Sequence, residues 1–246
     1  MEQSKEESQV KARLHDFKTT AQYYNCLKYS AKHVAERIGR AEVAVVLGSG
    51  LGGLVDTLEN PSSIDYSEIP YMPLTHVIGH GKFLYNGTVE GKKVMCWSGR
   101  VHMYEGYQSH QLTFISYLSA FLGCKYIILT NSSGGGIKGM KHGSLMVSKD
   151  HLNFAGKCAL PTSFNDPRFG ERNPRSTLAH SKYLKDLALK VAKENEVELF
   201  EGVYTWTTGP SYETPLEAAS LMKFGGGCFG MSTVPEIISA GQIGLE

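Results

Sequence analysis

Apolar residues along this chain fall into two kinds of pattern. Over residues 17–38 they recur at helical spacing, with Tyr23, Tyr24, Leu27, Ala31, Val34 and Ile38 on one face, and Gly39 ends the helix. Residues 43–47 are instead a continuous apolar run, as expected of a strand buried on both faces. Residues 57–82 are polar and interrupted by Pro61, Pro70 and Pro73, which predicts loops. The pattern next predicts a hairpin, 83–89 with 93–97, turning at Glu90-Gly91-Lys92. A helix over 112–122 and strands at 126–129 and 145–147 follow. Residues 153–180 form a long loop bearing Pro161, Pro167 and Pro174. Beyond it the expected order is helix (183–193), strand (203–206), helix (216–222), strand (228–231) and helix (234–243), with Pro235 tolerated in the last helix's first turn.

Strands alternating with helices predict an α/β fold: a single domain with a mostly parallel mixed central sheet flanked by helices. That domain is expected over residues 15–246, after a solvated, partly disordered segment at 1–14. In such sheets ligands sit beyond the carboxyl ends of strands. The glycine-rich and polar segments here follow strands at 48, 131, 207 and 231.

Charge removes some classes of partner. Among 246 residues, 25 basic and 24 acidic side chains leave a net charge of +1, which gives no general attraction to nucleic acid or to an anionic membrane. Residues 1–15 lack an apolar core of the secretory kind, and no run of about 18 apolar residues occurs, so a cytoplasmic protein is expected. Cys26, Cys96, Cys124, Cys158 and Cys228 are odd in number and lack a C-x-x-C pair, which reads as reduced thiols. The glycosylation patterns at Asn86 and Asn131 are taken as chance matches.

Gly48, Gly50 and Gly53 fit G-x-G-x-x-G after a strand. Dinucleotide binding would also need a second strand ending in an acidic residue about 20 positions on. The polar, proline-broken 57–63 stretch offers none. The other reading is a loop of small residues whose amides, with the Ser49 hydroxyl, wrap one phosphate.

Seven further features bear on that choice. Residues 46–54 (Val-Leu-Gly-Ser-Gly-Leu-Gly-Gly-Leu) and Gly79-His80 are followed by Gly99-Arg100-Val101-His102-Met103-Tyr104-Glu105-Gly106-Tyr107. Then come Thr130-Asn131 with Gly134-Gly135, Asp150-His151-Leu152-Asn153, Gly209-Pro210-Ser211-Tyr212-Glu213-Thr214 and Gly230-Met231-Ser232-Thr233-Val234-Pro235-Glu236. In order and spacing, over about residues 20–244, they resemble the trimeric, inosine/guanosine-specific family of purine nucleoside phosphorylases.

The resemblance implies phosphorolysis of purine ribonucleosides and deoxyribonucleosides to free base and pentose 1-phosphate, in purine salvage. It implies phosphate contacts from Ser49, His80, Arg100, His102, Ser132 and Ser232, and nucleoside contacts from Tyr104, Asn131, Tyr212, Glu213 and Met231. Tyr212 would pack on the base. Glu213 would accept hydrogen bonds from N1–H of a 6-oxopurine, and Glu213 and His102 would be the catalytic pair. The chemistry suits these residue types: phosphate attacks C1′ of a cation-like sugar while negative charge grows on the purine. No cofactor and no metal is implied, phosphate being a co-substrate. His76 and His80 are spaced as a zinc pair, but Pro73 and Gly79 argue against the helix that pairing needs. The partners implied are a purine nucleoside, phosphate and two further copies of the chain in a homotrimer.

Ser132-Ser133 replaces the family's usual Ala-Ala, and Phe229 stands where a small aliphatic is common. The resemblance also implies a further strand and a long helix beyond residue 246, so the expectation is a chain lacking those C-terminal elements. A weakly active or non-catalytic form is one alternative. Methylthioadenosine phosphorylase, a sister family without the equivalent of Glu213, is the other.

Overall fold

The computed structural model describes residue 17 and residues 19–75, 81–157 and 166–246. The segment expected to be disordered at 1–14, His76, His80 and Cys158 lie outside these residues.

The first helix, α1 (Thr20–Ile38), is fixed at both ends by local chemistry. Thr19 accepts from the Gln22 amide at 3.3 Å while the Gln22 side chain accepts from the Thr19 N–H at 3.2 Å, a reciprocal cap. Gly39, at φ 82°, turns the chain out and donates to Ala35. Of the predicted stripe, Tyr23, Leu27, Ala31, Val34 and Ile38 are buried, while Tyr24 is partly exposed at its edge.

β1 (Val43–Val46) lies inside a five-stranded sheet, parallel to β4 (Lys92–Trp97) on one side and to the edge strand β5 (Tyr126–Leu129) on the other. β3 (Phe83–Val89) and β4 form the predicted hairpin. Its turn is the two residues Glu90 and Gly91, both at positive φ (46° and 77°), the geometry that matches strand twist. The outermost strand corrects the sequence reading. β2 (Glu59–Asp65), in the region expected to be loop, pairs antiparallel with β3, and its register breaks between Glu59 and Ser62. Pro61 falls in that break, at the sheet's edge, where a missing N–H costs no ladder bond. Because β2 is antiparallel and three strands from β1, it is still not the second strand of a dinucleotide-binding unit.

The strands form two ladders rather than one continuous sheet. The second ladder has the order β6-β9-β8-β7, with β7 (Leu145–Asn153), β8 (Leu199–Trp206) and β9 (Cys228–Gly230) parallel and the two-residue β6 (Gly134–Gly135) antiparallel to β9. Thr130 and Asn131 carry the chain from β5 toward this second ladder. The predicted 112–122 helix is two pieces, α2 (Ser109–Leu112) and α3 (Phe114–Phe121). They break at Thr113, whose hydroxyl bonds back to the Ser109 carbonyl at 2.9 Å. α4 (Lys182–Glu194), α5 (Pro215–Lys223) and α6 (Val234–Ile243) complete the α/β class.

The main core packs Phe114, Tyr117 and Phe169 around Tyr23, with Phe169 stacked on Tyr23 at 5.9 Å, and Trp97 against Tyr66 in the same cluster. α6 is seated by buried polar bonds as well as by Val234, Ile237 and Ala240. Ser116 donates to the Glu236 carbonyl at 3.2 Å, and Tyr117 to the Gln242 side chain at 2.5 Å. That seating fixes the residue on which the site below depends.

Candidate active site

Gly48, just beyond β1, donates its N–H to Thr130 Oγ1 at 3.0 Å, and that hydroxyl donates to the Val46 carbonyl at 2.8 Å. A Cβ on Gly48 would stand 2.4 Å from Asn131 Cα, so only glycine allows β1 and β5 to end this close together. Ser49 follows at the mouth, half-buried.

Arg100, just past β4, is 3% exposed. Its Nε donates to Glu236 Oε1 at 3.0 Å and its Nη1 to the Thr130 carbonyl at 2.6 Å. Its Nη2 is buried without a hydrogen-bond partner among the described residues. Glu236 uses its other oxygen to accept from the Thr233 N–H at 3.1 Å.

Thr233 is held at φ 73°, ψ −44°, with Val234 N–H donating across it to the Ser232 carbonyl at 2.8 Å. This γ-turn of the rarer hand is costly for a β-branched residue, on the order of 1–3 kcal/mol. It places the Thr233 hydroxyl 3.0 Å from both Asn131 Nδ2 and Ser232 Oγ. Ser232 N–H donates to the Tyr204 hydroxyl at 3.2 Å, and burial raises that phenol's pKa, so it stays protonated. Gly48, Thr130, Arg100, Glu236, Thr233, Ser232 and Asn131 thus form one connected polar network across the carboxyl ends of β1, β4, β5 and β9.

His102 lies beside this network, buried and stacked on Tyr104 with ring centres 4.9 Å apart. Glu105 Oε1 accepts from the His102 backbone N–H at 2.7 Å and lies 3.3 Å from its Nδ1, while Thr75 donates to Oε2 at 3.1 Å. The ring orientation is set by that carboxylate. A small, partly open space lined by His102, Trp206, Met231 and Ser232, of about 10 Å³, has room for about one water.

On the second ladder, Thr207 after β8 donates from its backbone to the Gly230 carbonyl at 2.9 Å and from its hydroxyl to Glu213 Oε1 at 2.7 Å. Gly209 is at φ 66° ahead of the cis Pro210. A Cβ there would meet Met231 Sδ at 2.4 Å and Tyr104 Cδ1 at 3.1 Å, so Tyr104 and Met231 converge on this turn.

Of the expected site residues, Arg100, His102, Asn131, Ser232, Tyr104, Met231 and Glu213 come together, with Ser49 at the rim. Tyr212 presents its ring to the open side of this group. It is 86% exposed, near enough to Tyr104 to help raise that phenol's pKa, which burial raises first. Ser132 is exposed, and it is Ser133 whose hydroxyl donates to the Asn131 side-chain Oδ1. Sequence reading gave no role to Thr130, Thr233, Glu236, Glu105 and Thr207. Three of these, Thr233, Glu236 and Glu105, were signalled by spacing: Thr233-x-x-Glu236 and His102-x-x-Glu105 both match the reciprocal helix cap.

The sequence model of the phosphorylase superfamily matches residues 42–246. The chain is 43% identical over 205 residues to purine nucleoside phosphorylase 1 of Bacillus subtilis, covering 83% of this chain and 75% of the relative. It is 37% identical over 235 residues to the purine nucleoside phosphorylase of Rattus norvegicus, covering 94% and 78%. Its fold is similar to that of purine nucleoside phosphorylase from Schistosoma mansoni in complex with inosine, at a TM-score of 0.82, 34% identity and coverage of 90% and 79%.

Proposed function

The chain belongs to the phosphorylase superfamily and, within it, to the purine nucleoside phosphorylases. From that premise we propose that it cleaves inosine and guanosine, and their deoxy forms, with phosphate, giving free base and (deoxy)ribose 1-phosphate. The observation that carries the phosphate half is Arg100. A buried guanidinium with two nitrogens fixed by Glu236 and Thr130, and the third without a partner among the described residues, is a directed donor for an anion. Phosphate answers it, with the hydroxyls of Ser49 and Ser232 and the imidazole of His102 as further contacts; His80 and Ser132 complete the set by resemblance.

The phosphate oxygen so held attacks C1′ as the bond from C1′ to the purine nitrogen breaks, and the bonding pair leaves with the base. Tyr104 and Met231 hold the sugar, while Tyr212 and Asn131 border the base. Glu213, oriented by Thr207, accepts the N1–H that inosine and guanosine present and adenosine lacks. That carboxylate also favours this reading over methylthioadenosine phosphorolysis. The resemblance further suggests a homotrimer working in the cytoplasm without a cofactor. Among the described residues no helix is long and apolar enough to cross a membrane.

The test is an assay of inosine, guanosine, adenosine and methylthioadenosine, each with and without phosphate. Phosphate-dependent release of hypoxanthine and guanine is expected. Preference for either adenine nucleoside would overturn the assignment of Glu213. Sedimentation at micromolar concentration tests the trimer.

A further inference from the structure

A second polar cluster lies away from the phosphate network, on β7. The register of β7 against β8 slips between Ser148 and Asp150: Ser148 pairs with Gly202 and Asp150 with Val203, leaving Lys149 as the extra residue. In a regular strand Asp150 and His151 would point to opposite faces, but a bulge re-aims the side chains around it. The local bonds hold that distortion. Ser148 Oγ donates to the Asp150 carbonyl at 2.8 Å, and the His151 N–H donates to Asp150 Oδ1 at 2.8 Å. His180 arrives from the far end of the long loop, one residue before Ser181 caps α4. Its Nε2 lies 2.9 Å from His151 Nδ1, and its ring also hydrogen-bonds the backbone of Ser148. One donor atom each from Asp150, His151 and His180 lies within 4.8 Å of the others.

We propose that Asp150, His151 and His180 form a binding site for a divalent transition metal, with Zn²⁺ the best match and Co²⁺ or Ni²⁺ able to replace it. Two imidazole nitrogens and one carboxylate are a donor set of three-ligand zinc sites, a water filling the fourth position. Zn–N bonds of about 2.0–2.1 Å at tetrahedral angles put two ligating nitrogens about 3.3 Å apart. The 2.9 Å pair therefore needs to open by only a few tenths of an ångström. The contact from the His180 ring to the Ser148 backbone is the kind of outer bond that orients a ligating histidine. Asp150 is exposed and His151 and His180 are partly so, which gives an ion a way in. Bound there, the metal ties the segment leading into α4 to the bulge of β7. None of the three residues belongs to the phosphate network, so the site does not depend on the activity proposed above.

The full chain, stripped with a chelator and dialysed, would be titrated with ZnCl₂ against a chromophoric zinc indicator, and separately with CoCl₂ while following visible absorption. The expected result is one zinc per chain, tetrahedral cobalt bands, and a thermal midpoint raised by zinc. In His180→Ala that equivalent should weaken at least about tenfold, with the cobalt bands and the thermal shift lost. Asp150→Asn, at an exposed position, should weaken zinc in the same direction and guards against a folding defect in the histidine variant. No zinc binding at micromolar concentration would reduce the cluster to a histidine–histidine hydrogen bond and overturn the proposal. Equal zinc affinity in the parent chain, His180→Ala and Asp150→Asn would place the metal elsewhere and overturn it too.

Discussion

Glu236 and Arg100 make a pair whose stability role and binding role can be pulled apart. Each is about 3% exposed. Arg100→Met leaves the Glu236 carboxylate buried with, among the described residues, the Thr233 N–H alone, and breaking such a pair costs about 3–5 kcal/mol. Glu236→Leu leaves a buried guanidinium and also removes the cap on α6, so it should cost about 1 kcal/mol more. In the double variant, Arg100→Met with Glu236→Leu, no charge remains to be stranded. What persists is an unpaired Thr130 carbonyl and the lost cap, together about 2–4 kcal/mol, well below the sum of the two single losses. Urea unfolding followed by the fluorescence of Trp97 and Trp206, both fully buried, would read these values. Phosphate titration calorimetry would show binding lost in Arg100→Met and equally lost in the more stable double variant. Single losses that add to within about 0.5 kcal/mol would refute the coupled-pair reasoning. Undiminished phosphate affinity in Arg100→Met would refute the assignment of its unpartnered nitrogen.

Other outcomes follow from the same geometry. Glu213→Ala should cost about 2–4 kcal/mol in transition-state binding of inosine, read as kcat/KM, while any adenosine turnover stays unchanged. Gly48→Ala drives a Cβ into Asn131 and should lower stability by at least about 1–3 kcal/mol, with activity falling alongside; a variant matching the parent in both would show that the loop can move aside. Stability should decline in alkali. Burial raises the thiol pKa of Cys96 and Cys228 to about 11 and of Cys124 to about 12, from 9. Between pH 9 and these values the unfolded chain loses protons that the folded chain keeps, so each thiol removes up to about 1.4 kcal/mol per pH unit. A urea midpoint that does not fall between pH 8.5 and 10.5 would contradict this.

Regular elements were readable where one period ran unbroken, as in α1, β1, the β3–β4 hairpin and the proline-started α6. The reading failed where tertiary contacts decide. Thr113 looks like any helix residue until its hydroxyl turns back on Ser109. β7 continues through the polar run Ser148-Lys149-Asp150-His151 because a bulge absorbs the irregularity. The site divided in the same way. Arg100 and His102 stood out through their motif, but the contact from Thr130 to Arg100 is made by a backbone carbonyl, which no residue pattern advertises. His151 and His180 are 29 positions apart and carry no spacing signal at all.

The strand that escaped the sequence pattern, β2, also has a bearing on how the protein behaves in crowded solution. An edge strand offers a row of unpaired backbone groups on which another polypeptide can add itself. β2 is polar over most of its length, is interrupted by Pro61 and shifts register at its start, so it makes a poor template for such addition. The features that disguise it as a loop therefore also defend that flank of the molecule against aggregation.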